Sequence, residues 1–105
     1  MDNMMAWLLG RKKGPIEHAI DEALSLLEEK DYDAAIAVIQ NKALTREPEN
    51  RRAILHLGIC YMLKGELDQA ETILRTVVRK GGMDSESAAA LIALEKIGKD
   101  RGKAK

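Results

Sequence analysis

The sequence predicts an all-α fold built from antiparallel helix–turn–helix units. Three observations predict it. The 105 residues hold no Phe, one Trp and two Tyr beside many Ala, Leu and Ile, with proline only at Pro15 and Pro48. Strong helix formers therefore dominate, and windows rich in β-formers are scarce. Apolar side chains recur at helical spacing in rows 34 residues apart, and short turn-like segments separate the rows. The length is that of one domain, enough to bury a modest core.

The first helix carries Ile20, Ala23, Leu24 and Leu27, whose offsets of 0, 3, 4 and 7 make one helical stripe. Glu29-Lys30-Asp31 reads as a turn, and Tyr32, Ala35, Ile36 and Ile39 mark a second helix. Adding 34 to the first row gives Ile54, Leu57, Gly58 and Tyr61. After a second turn at Lys64-Gly65-Glu66, the positions Leu67, Ala70, Glu71 and Leu74 repeat the second row at an offset of 35. The change of offset implies one residue lost near the first turn and one gained around Asn41. Gly81 is placed to stop the fourth helix in the left-handed region. A third row, Ala88, Leu91, Ile92 and Glu95, belongs to a single helix that Asp84 or Ser85 opens as N-cap. The expected organisation is an apolar and basic arm over 1–14, a domain over 15–98 and a disordered basic tail over 99–105. Within the domain, the units span 16–49 and 50–82, and the last helix spans 84–98.

This period and these residues resemble the tetratricopeptide repeat, a 34-residue helix–turn–helix with the pattern W-x2-L-G-x2-Y, then A-x3-F, then P. The second unit reads Ile54-x2-Leu57-Gly58-x2-Tyr61, then Ala70-x3-Leu74, and the first closes on Pro48. Neither unit starts with Trp, and Lys80-Gly81-Gly82 stands where the pattern has proline. The resemblance runs from about residue 16 to about residue 97. It implies a superhelix of two repeats closed by a capping helix. It also implies recognition of a polypeptide on the concave face, which the first helix of each repeat lines. Carried over by position, that face holds Arg52, Leu55, His56, Ile59 and Met62 in the second unit. The first unit places His18, Asp21, Glu22, Ser25 and Glu28 there, and the capping helix Glu86, Ala89, Ala90, Ala93 and Lys96. The segment from Ile54 to Leu63 is apolar nearly all round, so Leu55, Ile59 and Met62 form a sticky groove or are covered by the chain's own first or last helix.

Charge and site chemistry exclude several function classes. The 17 basic and 17 acidic residues cancel, which argues against a general nucleic-acid binder. Cys60 is the sole cysteine, so no internal disulfide forms, and its apolar helical setting predicts an inert buried thiol. His18 and His56 stand at different repeat positions and no cysteine pair exists, so no metal site is expected. No nucleophile–base–orienter set and no phosphate-cradling loop is present, so no catalytic residue, no cofactor and no enzyme activity are expected. No apolar stretch approaches the roughly 20 residues of a membrane span. The chain's start lacks the features of a secretory signal, and a cytoplasmic location is expected.

From Glu17 to Asp33 seven acids accompany one base, Lys30. A groove acidic at the first unit and apolar at the second suits an apolar segment followed by bases. The chain carries one: Met4, Met5, Trp7, Leu8 and Leu9 precede Arg11-Lys12-Lys13. This arm docks in its own groove or in a neighbour's, forming a homo-oligomer. A frayed terminus and a weak membrane-surface anchor are the alternatives. The function expected is a protein–protein adaptor or scaffold that binds an apolar or amphipathic peptide or helix. The alternative is a small chaperone for a secreted or assembling partner.

Overall fold

The computed structural model describes residues 14–103. The arm residues Met4, Met5, Trp7, Leu8 and Leu9 lie outside them. Among the described residues there are five α-helices and no strand: α1 (Pro15–Glu28), α2 (Tyr32–Val38), α3 (Arg51–Lys64), α4 (Leu67–Gly81) and α5 (Ser85–Lys103). A π-helical segment, Ile39–Ala43, extends α2.

At α2, α3 and α5 a side chain meets the free amides of the first turn, whereas α4 starts without such a cap. The Gly14 N–H donates to Glu17 Oε1 at 3.0 Å, and Pro15 occupies the first turn of α1. Asp31 caps α2, accepting from the Ala34 N–H at 3.3 Å. Asn50 caps α3 through the Ala53 N–H at 2.9 Å, and Asp84 caps α5 through the Ser87 N–H at 2.9 Å. The two caps stand 34 residues apart, as expected for the second and third units.

Between the first and second units the spacing is 35. Lys30 and Gly65 both take positive φ, at 62° and 97°. The Lys30 N–H donates to Leu27 O as Gly65 does to Met62 O, and the Asp31 N–H donates to Leu26 O as Glu66 does to Tyr61 O. No residue is lost at the first turn. The expected row of Ile20, Ala23, Leu24 and Leu27 was therefore set one residue too far along. Ala19, Ala23 and Leu26 stand where Ile54, Gly58 and Tyr61 stand. The extra residue of the first unit lies in the π-helical segment, where the Leu44 N–H donates to Ile39 O five residues back. That matches the gain expected around Asn41.

Packing explains the correction. Gly58 lies so close to α4 that a Cβ would meet Leu74 Cδ2 at 2.8 Å. Ala23, the small residue at the same place in the first unit, is buried, whereas Leu24 is 38% exposed.

Two apolar clusters form the core. The first joins Ile16, Ala19, Ile20 and Ala23 of α1 to Ala35, Ile36 and Ile39, with Ala53, Leu57 and Cys60 of α3. The second joins Leu55 to Ala70, Leu74 and Val77 of α4 and Ala90, Ala93 and Ile97 of α5. Tyr61 packs against both. α5 touches α4 and α3 but not α1.

α5 departs from expectation in two ways. It runs to Lys103, through the stretch expected to be a disordered tail. Arg101 binds Asp68 and lies 3.7 Å from Glu71, holding this end to α4. Its buried stripe is also different: Ala90, Ala93 and Ile97 face the core, while Leu91 and Ile92 are 54% and 72% exposed. One repeat earlier, Leu57 is buried in the first cluster and Gly58 lies against Leu74 and Ile73 of α4. No helix follows α5 among the described residues to cover Leu91 and Ile92.

A polar junction ties the units together. Arg51, first in α3, donates to the Asp84 carboxylate, to Val77 O at 2.9 Å and to Ser87 Oγ at 2.9 Å. The guanidinium holds the Asp84 carboxyl well below the usual carboxylate range. Gly81 leaves room for it, because a Cβ there would lie 1.7 Å from Arg51 Nη2. Gly81 is the last residue of α4, and Gly82, with φ 92° and ψ −134°, makes the break expected of Gly81.

Candidate interaction face

On α3, Arg52, Leu55, His56, Ile59, Met62 and Leu63 share one side, counted at about 100° per residue. Leu55 is only 6% exposed and belongs to the second cluster. It is core, not groove, because α5 packs over it. Ile59 and Met62 are half-buried against the same cluster, and Ala89 of α5 packs there too. The segment that looked apolar all round is thus covered from several sides: Leu57 and Cys60 by the first cluster, Gly58 by α4, and Leu55, with Ile59 and Met62 in part, by the cluster of α4 and α5. Ala90 and Ala93, expected in the groove, are buried by that same packing. Arg52 is exposed, as are Leu63 at 44% and Lys96 of α5.

The corrected spacing of 35 carries this side of α3 back onto α1. Leu55, Ile59, Met62 and Leu63 correspond to Ile20, Leu24, Leu27 and Glu28. Ile20 is buried like Leu55, Leu24 is open, and Leu27 is half-buried like Met62. The two helices thus repeat one design: an inward apolar residue, then a partly open apolar row toward the C-terminal end. Asp21 and Glu28 stay on this face. His18, Glu22 and Ser25 turn away from it, because the assumed spacing displaced them by one residue, about 100°. His18 and Glu22 instead line an open cleft beside Lys42, Thr45 and Arg46. Glu22 binds Lys42 there at 3.1 Å. Leu24 and Leu63 are the members that sequence reasoning missed. The signal was available in the turn residues Lys30 and Gly65, whose alignment sets the spacing.

His56 sits half-buried beside this row. Burial lowers its pKa, Arg52 adds to the effect, and Glu86 opposes it. Its Nδ1 is buried without a hydrogen-bond partner among the described residues. Cys60 is fully buried, and desolvation pushes its thiol up to about 11, so it is no nucleophile at neutral pH. Among the described residues no three His, Cys, Asp or Glu side chains are placed to hold a metal ion. No described helix is long and apolar enough to cross a membrane.

Comparison with known proteins agrees with this geometry. The family model described as tetratricopeptide repeat matches residues 19–94. Neither a curated protein nor a solved structure matches the chain. The match covers most of the chain and spans both turns, both helix pairs and the start of α5. With a helix–turn–helix repeated at 34 to 35 residues and closed by a single helix, the chain belongs to the tetratricopeptide-repeat family.

Proposed function

We propose that this chain binds an apolar or amphipathic segment of another polypeptide along the repeated row of α1 and α3. Tetratricopeptide repeats serve protein–protein interaction, and the family assignment carries that much. The observation supporting the address is the pair Leu24 and Leu63, large apolar side chains left open on equivalent faces of successive first helices. Isolated exposed leucines need no explanation, but Leu24 lies in, and Leu63 beside, the row that Ile20, Leu24 and Leu27 share in register with Leu55, Ile59 and Met62. Glu28 and Asp21 flank the row on α1 and Arg52 on α3, so a ligand with bases toward the first unit is favoured.

The test uses Leu24→Ser with Leu63→Ser, which spares the core. Wild-type and variant protein are used to capture partners from host extract, and captured proteins are identified by mass spectrometry. A stoichiometric partner retained by the wild type should bind the variant at least ten-fold more weakly, with an unchanged melting temperature. Equal binding by the variant places recognition elsewhere, for instance in the open cleft of about 340 Å³ floored by Leu57, Tyr61 and Ile73.

A further inference from the structure

The open side of α5 is a second apolar surface, on the opposite side of that helix from the face packed on α3 and α4. Leu91 and Ile92 lie on it with Ser85, Ala88, Glu95 and Lys99, all exposed. Gly58, the counterpart of Ile92, is covered by Leu74 and Ile73 of α4, so this side is built to receive a helix. It cannot receive one like α4. Gly58 already lies so near Leu74 that a single Cβ would come within 2.8 Å, and Ile92 brings four side-chain carbons to the same place. The helix that fits must present small residues opposite Ile92.

We propose that the occupant is the α5 helix of a second copy, antiparallel to the first. α5 itself supplies the small residues, at Ser85 and Ala88. With the two-fold axis level with residue 90, Ile92 of each copy lies over Ala88 of the other, and Glu95 over Ser85. Charge favours this direction. A parallel pair would set Lys96 and Lys99 beside their own copies, whereas the antiparallel pair parts them and brings Lys96 toward Asp84 at the acidic start of the partner helix. Each α5 thus takes the place of a second helix in the other's last unit. A helix of 19 residues spans about 28 Å. One such contact buries less than the roughly 800 Å² per partner of a standard interface, so the dimer forms with rising concentration.

Sedimentation of the full chain from about 10 µM to about 1 mM tests this, a range that reads affinities down to the millimolar. The mass should climb from one chain toward two. Leu91→Glu with Ile92→Glu, both at exposed sites, should stay at one chain with helix content and melting temperature intact. Leu91→Cys, close to the axis, should cross-link to itself on mild oxidation, while the buried Cys60 stays free. A wild type that remains one chain throughout overturns the proposal. So does a double glutamate variant that still dimerises. So does a dimer lost on removing residues 1–13, which would make the N-terminal arm the occupant.

Discussion

At the scale of single residues, Arg51 has the widest reach. Its partners lie 26 to 36 positions away, Val77 in the second helix of its own unit and Asp84 and Ser87 at the start of the next. Arg51→Ala should lower the melting temperature clearly. Lys80→Ala, which removes only the exposed pair with Glu49 at 3.1 Å, should change it little. Gly81→Ala should mimic the arginine change, because the new methyl takes the guanidinium's place. The double variant should then lose less than the sum of the singles. His56 gives a pH dependence. Its folded pKa lies below the ordinary 6.5, so between those values the unfolded chain binds more protons. Stability therefore falls as pH drops through about 6.5 toward the folded value. A thermal-melt series from pH 7.5 to pH 5.5 should show this slope in the wild type and a flatter one in His56→Gln. The Asp84 cap was legible in the sequence, because a cap is local. The Arg51 junction was not, because its partners are brought together only by folding.

At the scale of elements, the two turns share one hydrogen-bond pattern but not one residue. Gly65 takes φ 97° at no steric cost, and Lys30 takes φ 62° against its Cβ. Lys30→Gly should raise stability and Gly65→Ala should lower it, each by about 1 kcal/mol, as denaturant midpoints would report. Helix type and order were readable from spacing, capping residues and turns. The register of the first unit was not, because Leu24 and Leu27 make a more apolar row than Ala23 and Leu26. Only the contact of Gly58 with Leu74 reveals that smallness, not hydrophobicity, is selected there. The buried stripe of α5 was hidden for a related reason. Alanines stand at 88, 89, 90 and 93, so more than one face looks able to pack, and the neighbouring helices choose.

At the scale of the whole molecule, stability is shared between two clusters that meet at Tyr61. Leu55 belongs to the second and ties three helices together. Leu55→Ala should cost roughly 2–5 kcal/mol, a large part of the 5–15 kcal/mol typical of a domain. Chemical denaturation would read this as a lowered midpoint. Ending the chain after Gly82 should do worse, exposing Leu55, Leu74 and Val77 together, with loss of a cooperative melt. A single last helix capping the array was expected; it covers the second cluster but leaves its own outer side, with Leu91 and Ile92, open. That it covers Leu55, together with α4, was one of two readings the sequence left open. The choice depends on where α5 sits, a property of the assembled helices.

The Arg51 junction also bears on how such a chain can be recombined. Repeats invite treatment as interchangeable cassettes, cut at the loops and spliced in any order. Here the guanidinium is encoded at the start of one unit and its carboxylate at the start of the next, with a glycine between them that must stay bare. A chimera cut at Gly82 inherits a cation without its counter-charge, or the reverse. The heritable unit of this architecture is the joint between repeats, and a workable breakpoint lies in the long loop before Asn50, ahead of all three partners.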